Sequence, residues 1–231
     1  MLTVIIPAYN EENNIVNTVK IIRKELKTLK IKHEILIVDD CSTDNTLKIA
    51  EKLHAGDKRI RVIRHRVNKG PGSGIVTGIR HSKGSIIIFL PADLAMEIKE
   101  IRKYLDASKT ADVVLGVRSD RSDYSLFRKI VSLLNIFMIK ALFNMKEKQF
   151  NYIPLYRSRI FKNIKIQSTG VFVTAEIAIK AKYFGFKINE VFIKYIPRTH
   201  GKASCGKISV ILKTIMEMLK FWFKWNFTPK P

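Results

Sequence analysis

Directly after three apolar runs, this 231-residue chain places clusters of acidic, amide and hydroxyl side chains: Pro7-Ala8-Tyr9-Asn10-Glu11-Glu12, Asp39-Asp40-Cys41-Ser42-Thr43-Asp44 and Pro91-Ala92-Asp93. Lys plus Arg number 42 against 20 Asp plus Glu, a formal net charge of +22. Carboxylates gathered on one rim of so basic a protein ask for a specific use. A plainer use exists for some of them, since Asn10, Ser42 and Asp44 can cap helices and an Asp pair can simply be solvated. Capping accounts for Asp44 but not for Asp39 or Asp93. A fourth segment, Asn68-Lys69-Gly70-Pro71-Gly72-Ser73-Gly74, follows another apolar run and opens a helical pattern. Glycines there let backbone approach a ligand closely, and a helix N-terminus suits a phosphate. The segment is neither GxGxxG after the first strand nor GxxxxGK[ST], which counts against an ordinary dinucleotide fold and a P-loop enzyme.

The elements that must carry these clusters alternate. Thr3–Ile6, Ile35–Val38, Ile60–Ile63, Ser85–Leu90 and Asp112–Leu115 read as strands, most of them continuous apolar runs of the kind buried on both faces. Helical patterns fall between them at about 12–29, 44–55, 73–83 and 97–107, with Asp44, Ser73 and Glu97 near their starts. Such alternation predicts an α/β fold, a mostly parallel sheet with helices on both faces. In such sheets ligands sit outside the carboxyl ends of the strands, where the clusters fall. After Gly116 come a long helix at about 126–144, a strand at Asn151–Tyr156, a helix near 173–184, a strand at 187–195 and a C-terminal helix. One domain over residues 1–207, with residues 208–231 as a helical appendage, is the expected organisation.

Composition narrows the classes. With 46% apolar and 27% charged residues the chain is globular and not disordered. The basic surplus predicts an anionic partner: nucleic acid, acidic lipid or phosphorylated small molecules. Nucleic acid is the least suited, because the aromatic residues are not interleaved with the basic ones as a stacking platform requires. Cys41 and Cys205 make neither a disulfide framework nor a metal pair. The opening MLTVIIPAYNEE has no basic leader, and the longest uncharged apolar run, Ile130–Ile139, is far short of a membrane span. A reducing compartment and no membrane crossing are therefore expected.

VIIPAYNEENNI, ILIVDDCSTDNT, NKGPGSGIVTGIRHSKG and FLPADL, at these spacings, closely resemble glycosyltransferase family 2, whose fold is the nucleotide-sugar-binding GT-A type. The resemblance covers about residues 2–210. Through GVRSDRSDYSLFRK and GFKINEVFIKYIPRTHGKAS it is similar to the polyprenyl-phosphate hexosyltransferase branch, typified by dolichyl-phosphate mannosyl- and glucosyltransferases. The QxxRW motif of processive relatives is absent. The resemblance implies that Pro7, Tyr9 and Glu11 line the nucleotide pocket with Ala8 and Asn10. It implies that Val38 and Asp39 flank the base, and that Asp40, Lys69, Gly70 and Ala92 belong to the same donor-binding set. The family's DxD falls at Pro91-Ala92-Asp93, leaving Asp93 as the single metal ligand for Mg²⁺ or Mn²⁺ shared with the donor diphosphate. Arg118 and Arg198 match family arginines that hold phosphates. The RxxGxSK ending reads Arg198-Thr199-His200-Gly201-Lys202-Ala203-Ser204, so either Lys202 or Lys207 reaches the acceptor phosphate. Glu176 matches an acidic position with a structural or phosphate-orienting role.

The implied reaction is one inverting displacement, with Asp93, Arg118 and Arg198 as the catalytic set. A polyprenyl or dolichyl phosphate attacks the anomeric carbon of a nucleotide-activated hexose of the GDP-mannose or UDP-glucose type. Transfer to a soluble or glycan acceptor, or a degenerate binding protein, are the alternatives. The late segment ISVILKTIMEMLKFWFKWNF stacks Lys213, Glu217, Lys220 and Lys224 on one helix face, with nearly everything else apolar. That pattern suits a helix lying in a membrane interface, or one packed on the domain or a dimer partner. Leu126–Met145 poses the same choice. Peripheral attachment to an anionic membrane on its cytoplasmic face, with a separate membrane-anchoring subunit as a further partner, completes the expectation.

Overall fold

The computed structural model describes residues 1–120, 124–196 and 208–227. Seven strands form one sheet in the order β3-β2-β1-β4-β6-β5-β7: β1 Leu2–Ala8, β2 His33–Asp39, β3 Ile60–Arg64, β4 Ile86–Phe89, β5 Val113–Arg118, β6 Pro154–Arg157 and β7 Ile188–Ile193. β1 pairs parallel with β2, from Leu2 against His33 to Ala8 against Asp39, and also parallel with β4. Only β6 runs the other way, antiparallel to both β4 and β5. The carboxyl ends of the other six strands therefore share one edge. The chain reverses its winding between β1 and β4, which makes a crevice at that edge.

The helices are α1 Ile15–Thr28, α2 Thr46–Gly56, α3 Ser73–His81, α4 Ile101–Ala107, α5 Leu126–Phe143, α6 Val173–Tyr183 and α7 Ile208–Phe227. Period-two alternation sorts the strand residues between two cores. Val4, Ile6, Ile35, Ile37 and Val114 meet α1, α2 and α4 on one face. Ile5, Leu36, Val38, Val113 and Leu115 meet α3, α5, α6 and α7 on the other. Burial on both sides is why these strands read as unbroken apolar runs. On α3, a Cβ at Gly74 would lie 2.7 Å from Pro7 Cβ, and one at Gly78 would lie 2.4 Å from Ile5 Cγ2. Two glycines one turn apart let α3 lie against β1 closely enough to present its N-terminus at the rim.

The order and type of elements match the sequence expectation, with shifts at their ends. α1 starts at Ile15 because Glu11–Asn14 is a turn, the Glu11 carbonyl accepting from Asn14 N and Ile15 N. The expected caps hold only in part. Asp44 Oδ1 accepts from Thr46 N at 2.9 Å, whereas Ser73 Oγ donates to the Lys69 carbonyl and Glu97 makes no side-chain cap. The cap on α5 is Ser125, which accepts from Arg128 N.

α7 has three faces. Thr214, Met218 and Phe221 pack on the domain, with the Phe221 ring 5.5 Å from those of Phe143 and Phe172 and stacked on Trp225. Lys213, Lys220 and Lys224 are exposed beside that face. Ile208, Leu212, Met216, Leu219, Phe223 and Phe227 form a third, exposed and mostly apolar, with Ser209 and Asn226 at its ends. α5 neighbours α7 and repeats the arrangement, exposing Leu126, Phe127, Ile130, Leu133, Leu134 and Phe137.

Candidate active site

The loops after β1 and β2 are locked to each other. Asn10 N donates to Ser42 Oγ at 3.0 Å, and Thr43 N donates back to Asn10 Oδ1 at 2.9 Å. Glu11 N donates to Thr46 Oγ1, Glu12 N to Asp44 Oδ2, and Asn45 N to Glu12 Oε2. Non-glycine residues take left-handed backbone at three strand ends on this rim: Asn10 (φ 55°), Cys41 (φ 63°) and Leu94 (φ 45°). Such conformations persist where surrounding bonds over-determine them, and they concentrate at functional sites.

Asp39 and Asp40 are adjacent, both buried, and used differently. Asp39 closes β2, and its Oδ2 accepts from Ser42 N at 3.2 Å. Its Oδ1 is buried without a hydrogen-bond partner, an acceptor held ready for an N–H from outside the chain. Asp40 is fully engaged: Oδ1 accepts from Lys69 N at 2.9 Å and His65 Nδ1 at 2.7 Å, and Oδ2 from Gly70 N at 2.9 Å. Its carboxylate therefore shapes the Lys69–Gly70 turn rather than facing the crevice. Ala8, Val38 and Ala92 bury their side chains in the cores, so only their backbone borders the rim. Tyr9 and Lys69 are exposed there, and Glu11 Oε2 accepts from Asn14 Nδ2. Pro7 is half-buried beneath Gly74.

The Pro91–Asp93 turn follows β4. Thr18 on α1 donates to the Ala92 carbonyl at 2.6 Å, and Leu94 N closes the turn on the Pro91 carbonyl. Met96 bridges to Tyr195, which draws the segment after β7 alongside Asp93. Arg118 is the last residue of β5 and is buried. Its backbone N–H donates to Gln149 Oε1, and its guanidinium lies 3.4 Å from the Tyr195 ring centroid, 4.7 Å from Tyr124 and 5.8 Å from Tyr152. Aromatic faces orient a guanidinium through its planar, delocalised charge. Tyr152 sits among these groups. Burial pushes its phenol up, the Arg118 charge opposes that, and Tyr195, Tyr124 and Asp93 add to the rise. Its hydroxyl donates to the Ala95 carbonyl.

A second guanidinium joins this cluster. Arg128, on the first turn of α5, lies 4.4 Å from the Tyr124 centroid, so one ring contacts two cations. Tyr124 and Arg128 also line a cavity of about 220 Å³ between α5 and α7, otherwise largely apolar, with Val131, Leu134, Phe150 and Ile211 in its walls. Sequence reading missed Arg128, Tyr124, Tyr152, Tyr195 and His65. For Arg128 the available signal was the Tyr124-to-Arg128 spacing at a helix start; the others are joined only by the fold.

Glu176 is wholly buried, accepting from Gln167 N at 2.9 Å, from Ser168 N at 2.7 Å and from Lys180 Nζ. It pins the segment before Thr169 and Gly170, whose carbonyls lie against Gly72. Arg198, Lys202 and Lys207 lie outside the described residues, as does His200. Among the described residues no three His, Cys, Asp or Glu side chains converge as a metal site. Asp93 alone fits a divalent ion whose remaining ligands come from substrate phosphates and water, as Mg²⁺ accepts, and not an ion caged by protein.

A mostly parallel sheet with acidic turns at the β1, β2 and β4 ends and an arginine closing β5 fits the GT-A class of nucleotide-sugar-binding folds. A crystal structure of glucosyl-3-phosphoglycerate synthase from Mycobacterium tuberculosis, in complex with Mn²⁺, UDP and phosphoglyceric acid, superposes with a TM-score of 0.70. It covers 96% of this chain and 78% of that one at 17% identity. The family model for glycosyl transferase family 2 matches residues 3–170, and the chain belongs to that family. It is 28% identical to the dolichol-phosphate mannosyltransferase of Pyrococcus furiosus, over 96% of this chain and 63% of that protein. It is also 28% identical to the undecaprenyl-phosphate 4-deoxy-4-formamido-L-arabinose transferase of Edwardsiella ictaluri, over 91% and 64%. The chain thus spans less than two thirds of the length of either relative.

Proposed function

We propose that this protein transfers a hexose from a nucleotide-sugar to a polyprenyl phosphate at the surface of a membrane. The observation that carries this reading is the pair of guanidinium groups, Arg118 and Arg128, sharing the Tyr124 ring, with Tyr124 and Arg128 lining a largely apolar cavity between two outwardly apolar helices. That setting offers an anionic head a forked cationic clamp and a hydrocarbon chain an apolar path. The names of the two relatives specify prenyl-phosphate sugar transfer, which supports the same acceptor class.

On this reading the base of the donor gives an N–H to Asp39 Oδ1, and its diphosphate lies along the rim toward Asp93. The acceptor phosphate, with a second pKa of about 6, is largely ionised near neutrality and needs no strong general base. One of its oxygens attacks the anomeric carbon as the bond to the nucleoside diphosphate breaks, with inversion. The chain's work is to align the two phosphates and to offset their charge. Arg118 holds the attacking phosphate from the fixed end of β5, and Arg128 supplies the second cation. Asp93 would hold a divalent ion, Mg²⁺ or Mn²⁺, which supplies charge to the departing diphosphate when bound. No helix among the described residues is long and apolar enough to cross a membrane. The exposed faces of α5 and α7, flanked by lysines, are read as the peripheral contact with an anionic bilayer.

Thermal shift with UDP and GDP, each with and without Mn²⁺ or Mg²⁺, tests the donor half, because a ligand of the native state raises the midpoint by mass action. Radiolabelled sugar transfer to a short-chain polyprenyl phosphate, beside the matching polyprenol, tests the acceptor half. We expect a metal-dependent shift with one diphosphate and transfer only to the phosphate. Transfer without any lipid phosphate replaces the acceptor with a soluble sugar or glycan, and no shift with any nucleotide overturns the enzymatic reading.

A further inference from the structure

Beneath the rim lies a buried polar chain that the mechanism above does not use. His65 follows β3 and is 4% exposed. Its backbone N–H donates to the Asp39 carbonyl at 2.8 Å. Its Nδ1 meets Asp40 Oδ1 at 2.7 Å, and its Nε2 meets Thr77 Oγ1, on α3, at 2.8 Å. An ionised carboxylate only accepts, so Nδ1 carries the proton and, in the neutral ring, Nε2 accepts from the Thr77 hydroxyl. The imidazole thereby ties together three things that approach the rim separately: the end of β2, the helix α3 and the turn between β3 and α3.

What Asp40 does with its other lone pairs gives this tie a consequence. Asp40 gathers the N–H groups of Lys69 and Gly70, and Gly70 takes φ +93°, a conformation glycine adopts without strain. Ser73 Oγ then donates to the Lys69 carbonyl, closing the turn onto the first residue of α3. Asp40 is thus a principal hold on the Lys69–Gly70 backbone, beside the Asn68 side chain, which also accepts from Gly70 N, and His65, buried like Asp40, holds that carboxylate in turn.

We propose that His65 is a positioning residue for the donor's diphosphate, acting through Asp40 on the Lys69–Gly70 turn while leaving base recognition at Asp39 untouched. This rests on the donor-binding reading given above. The two ring nitrogens separate the idea from a merely structural role. Asn carries its amide nitrogen near the place of Nδ1 and can still donate to Asp40, whereas Gln carries its own near Nε2 and serves Thr77 instead.

Both His65→Asn and His65→Gln lower the melting temperature, since each underfills a packed site. Titration with UDP and GDP, beside uridine and guanosine, should find His65→Asn close to wild type. His65→Gln should bind the diphosphate about tenfold more weakly, with nucleoside affinity unchanged. In transfer assays the same variant should raise the donor KM by that factor and leave kcat within about twofold. Hydrogen exchange at the Lys69 and Gly70 amides reads the geometry with no ligand present, and protection should survive in His65→Asn and fall in His65→Gln. Equal loss of diphosphate affinity in both variants, or loss of nucleoside and diphosphate together, overturns the proposal. A wild type that binds neither diphosphate overturns the donor reading and the role with it, and unaltered exchange in His65→Gln overturns the positioning by itself.

Discussion

Replacing Phe223 and Phe227 of α7 with serine should detach the protein from anionic vesicles while leaving its fold alone. The two rings are 63% and 66% exposed, and their ring contacts are with each other and with Trp222. They stand on the opposite side of the helix from Thr214, Met218 and Phe221, which pack on the domain. A phenylalanine carries roughly 200 Å² of surface, so each ring offers about 130 Å² to a bilayer. At about 25 cal/mol per Å² that is about 3 kcal/mol per ring for complete transfer to an apolar medium. A helix lying at headgroup depth realises about half of it, so the pair contributes about 3 kcal/mol, or about a hundredfold in partitioning. Flotation with phosphatidylcholine–phosphatidylglycerol vesicles measures this directly. The exposed Lys213, Lys220 and Lys224 should make wild-type binding weaken as salt is raised, and the double variant should change the intercept of that dependence and not its slope. A variant that floats within twofold of wild type at every salt concentration refutes the membrane role of this face. Loss of the cooperative thermal transition would refute the separation of its faces.

Asp93→Ala should abolish sugar transfer with the melting temperature within a few degrees of wild type; wild-type turnover sinks the assignment of the β4 turn to the reacting centre. Arg128→Ala should raise the KM for polyprenyl phosphate about tenfold or more with donor KM unchanged, because it removes one of two cations from the acceptor phosphate. Gly78→Ala should destabilise by about 1–3 kcal/mol in a denaturant titration, since the new methyl would lie 2.4 Å from Ile5 Cγ2 and α3 must lift from β1 to admit it. Hydrogen bonding from Arg59, against the opposing effect of burial and with help from Arg23, holds the Asp57 carboxyl at about 2, below its usual value of 3.8. A depressed acid stabilises the fold above its unfolded pKa and loses that contribution as pH falls through the folded one. Wild type should therefore lose about 1 kcal/mol more than Asp57→Asn between about pH 4 and pH 2, screening at the two largely solvated arginines having reduced the difference.

The sheet was legible because burial on both faces leaves little freedom in residue choice. Val4 to Ile6 and Ile35 to Val38 must be apolar at every position, since alternate side chains feed different cores. The rim was legible only by residue type. Asp39 and Asp40 are neighbours of one kind, and what divides them is which N–H groups arrive from elsewhere. Lys69 and Gly70 reach Asp40 from about thirty residues away, and none reaches Asp39 Oδ1. The α5–α7 cavity was illegible for a related reason. A period of 3.6 reports that a helix has an apolar stripe but not how wide the packed part is. α7 proved to have apolar residues on two separate faces, one facing Phe172 and the other facing outward.

The two halves of the rim are held by different physics, and the proposed reaction supplies a reason. On the β1–β2 side, backbone N–H groups bond reciprocally to short polar side chains and to the carboxylates of Glu12 and Asp44, which fixes geometry through directional hydrogen bonds. A ligand recognised by one amide-to-carboxylate bond needs that rigidity, because a misplacement of an ångström forfeits it. On the β4–β5 side the guanidinium of Arg118 is oriented by ring faces: the centroids of Tyr195, Tyr124 and Tyr152 lie 3.4, 4.7 and 5.8 Å from it, contacts that depend on its planar, delocalised shape. Replacing Arg118 by lysine would keep the charge but lose the planar group these rings orient, so charge conservation should not rescue an acceptor site built this way.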